Sequence, residues 1–200
     1  MPLLDRNSLR QYYFFDMAVR FTINENNVLE KAELVDETGA VIKDGVRGAG
    51  EREFCDFSLL EDAEIPYGVR GIGCGAFAGC DWLLRVEIPD SVTSIEDRTF
   101  YDCYSLSEIE IPASVVNVGD EVFTDCNNLK SVSILGKIPA IGYRAFAWCE
   151  SLTDIVIPDS VTSIGDQAFY GCSSLKDISI PESVTSIGDD AFKGSGQNTA

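Results

Sequence analysis

Apolar residues along this chain fall into one pattern that repeats every 23 positions. Phenylalanine stands at Phe54, Phe77, Phe100, Phe123, Phe146, Phe169 and Phe192. Cysteine follows at Cys80, Cys103, Cys126, Cys149 and Cys172, and leucine at Leu60, Leu83, Leu106, Leu129, Leu152 and Leu175. Glycine keeps the same register at Gly50, Gly73, Gly119, Gly142, Gly165 and Gly188, with Glu96 where one more is due. These ladders define a unit Ile-Pro-x-Ser-Val-x-x-Ile-Gly-x-x-Ala-Phe-x-x-Cys-x-x-Leu-x-x-Ile-x. Full copies run 65–87, 88–110, 111–133, 134–156 and 157–179, with a partial copy over 180–195 and a degenerate one over 42–64. In the copy at 134–156, Leu135, Lys137 and Ile138 replace the usual Pro, Ser and Val.

Each unit contains two short alternating segments, the signature of a half-buried strand. The first is of the type Leu152-x-x-Ile155-x-Ile157, ended by Pro158, which cannot donate to a strand ladder. The second is Val161-Thr-Ser-Ile164, stopped by Gly165, where the pattern predicts a positive φ. The stretch Asp166 to Cys172 is too short for a long helix and predicts a single helical or 3₁₀ turn with Ala168, Phe169 and Cys172 inward. One unit cannot bury its own apolar residues; stacked units at about 4.8 Å per coil can. The predicted fold is therefore a β-rich α/β solenoid spanning 42–195, a right-handed coil of short strands and helical turns.

The flanks differ. In 1–41, Tyr13, Phe15, Met17, Val19, Phe21 and Ile23 alternate with more polar positions, predicting a strand. Asn24 to Asn27 and Asp36 to Gly39 read as turns, and Val28 to Val35 is open between strand and short helix. The region reads as an N-terminal β cap on the first coil. At the other end Lys193 to Ala200 supplies no apolar cap, 196–200 reads as a disordered tail, and the last coil is expected to be open to an oligomeric partner or a longer array.

Composition narrows the function. Fifteen Lys+Arg against 33 Asp+Glu give a net charge of −18, which repels phosphate backbones and anionic lipid, so neither nucleic-acid binding nor membrane insertion is expected. There is no histidine, which removes Ser-His and Cys-His pairs, His-ligated zinc and the usual general base near pH 7. The start of the chain lacks the pattern of a secretory signal, so the expectation is cytoplasmic if Met1 is the native start and cell-surface or secreted if a signal has been removed.

The string Leu-x-x-Ile-x-Ile-Pro-x-Ser-Val-x-x-Ile-Gly-x-x-Ala-Phe-x-x-Cys resembles the BspA-like (Treponema pallidum-type) leucine-rich repeat family, with its 23-residue unit, strongly over 65–192 and weakly over 42–64. Ser91, Ser114, Ser160 and Ser183 stand where commoner leucine-rich repeats carry a ladder-forming asparagine. The resemblance implies a binding scaffold, frequently in cell-surface adhesion, and no reaction or cofactor.

Candidate chemistry is sparse. Cysteines one per coil point the same way, so they do not converge on a metal and are poorly placed to form disulfides; buried thiols are the expected state. Gly71-Ile-Gly73-Cys-Gly75-Ala76 superficially matches a dinucleotide fingerprint but lacks the long helix that motif needs. The residues between inward strand positions form two outward columns, Asp62, Arg85, Glu108, Ser131, Asp154, Asp177 and Glu64, Glu87, Glu110, Ser133, Val156, Ser179. Their N-terminal half is acidic, which fits a solvated surface or a face for a basic protein partner. Trp82, Tyr101, Tyr104, Trp148 and Tyr170 lie off the ladders, where aromatic side chains serve protein interfaces or stack on sugars. The candidate contact residues are thus Asp62, Glu64, Arg85, Glu87, Glu108, Glu110, Trp82 and Trp148 on a non-enzymatic protein-binding scaffold. The alternatives are a surface adhesin or structural segment and a carbohydrate-binding protein.

Overall fold

The computed structural model describes residues 61–196 apart from Pro66, together with two strands nearer the N-terminus. Those two are β1 (Ala18–Ile23) and β2 (Val28–Val35), an antiparallel pair. The repeats supply β3 (Asp62–Glu64), β4 (Gly71–Ile72), β5 (Arg85–Glu87), β6 (Ser94–Ile95), β7 (Glu108–Ile111) and β8 (Asn117–Val118). They continue with β9 (Ser131–Ile134), β10 (Ala140–Ile141), β11 (Asp154–Ile155), β12 (Ser163–Ile164) and β13 (Ser186–Ile187). Strand pairing between coils is parallel and in register at 23 residues, for example Glu108 with Ser131 and Ile109 with Val132. This is a solenoid of stacked coils. Val28–Val35, open between strand and short helix from the sequence, is a strand and runs parallel to β4, so the hairpin extends the sheet β2–β4–β6–β8 at its N-terminal side. Residues 13–17, the expected turns at 24–27 and 36–39, most of the degenerate coil 42–64 with Phe54 and Cys55, and the tail at 197–200 lie outside the described residues.

The core is a set of columns. Rings of Phe77, Phe100, Phe123, Phe146 and Phe169 are buried and nearly parallel, with centroids 5.3 to 5.4 Å apart. Phe192 adds a sixth ring at 5.3 Å on the last coil, where it is only partly covered. Leucines 83, 106, 129, 152 and 175 are fully buried beside them. Burial alternates along the strands as the sequence requires: in Glu108–Ile111 the glutamates are exposed and the isoleucines buried.

Two expectations need correction. The segment Asp166–Cys172 forms no helix of either kind, and none occurs among the described residues, so the β-rich solenoid is as expected but its helical turns are replaced by non-helical ones. The segment is a run of turns in which Ala168, Tyr170 and Cys172 donate to Gly165, Gln167 and Phe169 three residues back. Gln167 (φ 57°) and Gly171 (φ 73°) are left-handed, and such residues cannot continue a right-handed helix. They turn the intervening N–H groups outward: Gln167, Phe169 and Gly171 donate at 2.7 to 2.9 Å to Asp189, Ala191 and Lys193 of the next coil. Bonds a helix would make within itself are made between coils instead. Ala168, Phe169 and Cys172 do all point inward.

The second correction concerns Gly165, whose φ is not positive. Its missing side chain matters because a Cβ there would lie 2.8 Å from the backbone of Gly142 and Tyr143 in the coil before. The glycine ladder is a ladder of close approach. Beside it Asp97, Asp120 and Asp166 each accept, through Oδ1, the N–H of the residue one coil on, at 2.8 to 2.9 Å.

The atypical copy at 134–156 marks a break. Thr93, Thr162 and Thr185 carry the N–H that bonds back to the preceding coil, at 2.7 to 2.8 Å, but the equivalent residue here is Pro139. Proline has no N–H to give Val116. The sheet accordingly divides between β8 and β10.

Candidate interaction surface

The outward columns form where the inward Ala63, Val86, Ile109 and Val132 anchor the strands in the core. Asp62 lies opposite Arg85 and Glu64 opposite Glu87 in the β3–β5 pair. Glu108 and Glu110 lie opposite Ser131 and Ser133 in β7–β9, and Asp154 of β11 faces Ser131 from the other side. Asp62, Arg85, Glu87, Glu108 and Glu110 are all exposed. Arg85 and Glu87 form an ion pair along one strand, with side chains 63% and 57% exposed. That pairing, which column positions alone did not reveal, neutralises Glu87 locally and leaves Glu108 and Glu110 as the uncompensated centre of the face. Toward the C-terminus the face keeps exposed Asp154 and Asp177 but becomes partly apolar, since Val156 is 71% exposed in the column of Glu110.

The tryptophans lie elsewhere. Trp82 and Trp148 are 43% and 44% exposed and lie in the turn runs, not in the strands that carry Glu108 and Glu110. Trp148 itself is left-handed (φ 61°), and its ring meets Tyr170 edge-on at 5.1 Å. Nearby, Asp125 is held above the usual carboxylate range by burial, opposed by a hydrogen bond from Tyr101. Tyr104, 44% exposed, is pushed up by the charge of Asp102 and further by Asp125 and Asp81. Along the same ridge Glu121 pairs with Arg98 at 2.8 Å and holds its guanidinium above the ordinary value. The turn ridge is therefore a second polar and aromatic surface, set by columns that sequence reading did not single out: positions 98, 121, 144, 167 and 190 are all left-handed.

The ladder thiols face the core. Cys103, Cys126, Cys149 and Cys172 each donate to the carbonyl of the phenylalanine one coil back, Phe77, Phe100, Phe123 and Phe146, at 3.0 to 3.1 Å. Burial pushes Cys103 and Cys149 well up and Cys172 to about 12. Each of these thiols has a carbonyl acceptor on the neighbouring coil and is buried from solvent. Cys74 is exposed. No helix of the described residues is long and apolar enough to cross a membrane.

This geometry can be set beside known proteins. The model of the BspA type leucine rich repeat region matches residues 48–149 and 139–200, in six copies. The Treponema pallidum leucine rich repeat protein superposes with a TM-score of 0.70 at 28% identity, over 88% of this chain and 86% of that one. A leucine-rich repeat protein from Eubacterium ventriosum gives 0.63 at 22% identity, over 96% of this chain and 51% of that one. Pneumococcal vaccine antigen PcpA gives 0.56 at 21%, over 84% of this chain and 49% of that one. The chain thus spans about half the length of the last two. No curated protein matches it. The 23-residue register, the phenylalanine column and the repeat model agree: the chain belongs to the BspA-type leucine-rich repeat family.

Proposed function

We propose that this chain is a non-enzymatic scaffold that docks a protein partner on the outward face of the β3–β5 pair and the β7–β9–β11 sheet, and that the partner is basic where it touches. The observation behind this reading is the pair of exposed carboxylates at Glu108 and Glu110, flanked by Ser131 and Ser133, on a rigid strand surface whose one arginine is spent on Glu87. Complementary charge acts mainly on association rate and is screened beyond about 8 Å at physiological salt. The experiment compares the wild-type chain with the double variant Glu108→Lys, Glu110→Lys against the same captured protein. Association should slow in the variant, and rising salt should weaken the wild type while leaving the variant little changed. Binding indifferent to both the reversal and the salt would show a merely solvated surface.

The fold shared with a pneumococcal vaccine antigen supports a surface setting for that contact, in an adhesive or structural role. A carbohydrate-binding reading draws on one observation, the half-exposed Trp148 ring braced edge-on by Tyr170. Glycan-array signal lost in Trp148→Ala or Trp82→Ala, and kept in the glutamate reversal, would favour it.

A further inference from the structure

Aromatic side chains line the turn ridge on four of five successive coils. Trp82, Tyr104 and Trp148 are half-exposed, and Tyr170 partly so. Counted from the unit starts at 65, 88, 134 and 157, Trp82 is the eighteenth residue, Tyr104 the seventeenth, Trp148 the fifteenth and Tyr170 the fourteenth. Coils repeat at 5.3 to 5.4 Å in the phenylalanine stack, so these four residues form an oblique line along the solenoid axis. In the coil between Tyr104 and Trp148 the fifteenth and seventeenth places hold Asp125 and Asn127 instead.

These rings are exposed and yet held. Trp148 donates its N–H to Tyr170 at 2.7 Å, and its carbonyl accepts the Glu150 N–H at 2.8 Å and the Asn127 side-chain amide at 3.1 Å. Its indole lies against Gly171, where a Cβ would come within 2.6 Å, and meets Tyr170 edge-on. Tyr104 donates to Asp102 at 3.0 Å and accepts from Asn128 of the next coil at 3.3 Å. A ring oriented before its ligand arrives loses little conformational freedom on binding.

The charge beside the line has one sign. Arg98 is engaged by Glu121 and Arg144 by Gln167, whereas the carboxylates of Asp102, Asp125 and Asp81, from three successive coils, all act on the Tyr104 hydroxyl. Glu150 is exposed two residues from Trp148. Such a border repels an anionic ligand.

We propose that this ridge binds an extended polysaccharide free of acidic groups, laid along the solenoid axis with one sugar on Tyr104 and another on Trp148. The inference rests on the carbohydrate reading above and adds to it the length, direction and charge of the ligand. A pyranose turns a face of C–H groups to an aromatic ring and carries hydroxyls at its rim for carboxylate and amide groups such as Asp125 and Asn127. Neutral and amine-bearing sugars suit this border, and uronic or sialic acids do not. Because Tyr104 and Trp148 stand two coils apart, a single sugar reaches one ring and a chain reaches both.

The test applies the intact chain to an array of neutral, amine-bearing and acidic saccharides, from single sugars to long chains. Signal should rise with chain length in the first two classes and be absent in the third. With the longest neutral oligosaccharide bound, Tyr104→Ala and Trp148→Ala should each weaken affinity about tenfold, and Trp148→Phe should retain most of it. Melting curves check that the variants are folded. Single sugars bound as well as chains, with loss in Trp148→Ala and none in Tyr104→Ala, would overturn the extended track and leave the carbohydrate reading standing. Acidic chains bound as well as neutral ones would overturn the assignment of charge. Failure to bind any saccharide, including the case in which a proline-rich peptide binds the same rings, would overturn both readings.

Discussion

At Gly171 a left-handed backbone and the indole of Trp148 act together. A Cβ would lie 2.6 Å from the indole ring, on a residue whose φ is already 73°. Gly194, one coil on, has φ 76° and would meet nothing closer than 3.5 Å. An L side chain in this region costs about 1 kcal/mol at either place. Gly171→Ala should therefore cost more than Gly194→Ala, by about another 1 kcal/mol in urea unfolding, because the ring must give way. Equal losses would mean that the Trp148 ring is loosely held. The ladder thiols make a different point. Their S–H groups are bonded to phenylalanine carbonyls, and burial raises Cys103, Cys149 and Cys172 away from ionisation, so the nucleophilic thiolate is scarce. In native protein at pH 8, Cys74 should label quickly, and Cys103, Cys126, Cys149 and Cys172 only after denaturant is added. Rapid native labelling at any of those four would contradict the packing.

The coil is the element of this fold, and its cost of damage depends on how many neighbours it has. Phe123 stacks on Phe100 and Phe146, whereas Phe192 stacks on Phe169 alone among the described residues. Phe123→Ala should cost about 3–5 kcal/mol, since a rigid column cannot collapse around the gap. Phe192→Ala should cost less than half of that. Similar losses in thermal or urea unfolding would argue against stacked coils as the source of stability. Strands and turns within the coil were unequally legible. Alternation of Glu108, Ile109, Glu110 and Ile111 states which side chains go inward, and the structure keeps that arrangement. The turn run did not declare itself, because its left-handed positions are filled by Arg98, Glu121, Arg144 and Gln167 as readily as by Gly75. The N–H of each of these residues bonds to the next coil, to a partner 22 residues away.

For the molecule as a whole the dominant fact is charge. A net −18 over 200 residues means that folding brings like charges together, and the Arg85–Glu87, Arg98–Glu121 and Lys193–Asp190 pairs relieve little of it. Thermal stability should rise as sodium chloride goes from low to physiological concentration, because screening at about 8 Å weakens the repulsion between exposed carboxylates. A melting temperature that stays flat or falls would mean that local pairs outweigh the net field. For the basic partner proposed above, Glu108 and Glu110 would add to the same global attraction.

Periodicity alone carried the coil length, the inward columns of Phe, Cys and Leu, and the outward carboxylates, because a side chain repeated every 23 residues meets its own copy whatever the path between. It showed the lapse of the pattern at 134–156, but not the missing bond there, where Pro139 has no N–H to give. It did not carry the path itself. The left-handed turns, whose N–H groups reach the next coil, and the close approach at Gly165 involve partners a whole coil away. Likewise the Arg85–Glu87 pair, and the placement of Trp82 and Trp148 in the turn runs, follow from how far each coil turns before it returns to the sheet. Bonds between coils set that distance in space, and residue spacing along one unit does not encode them.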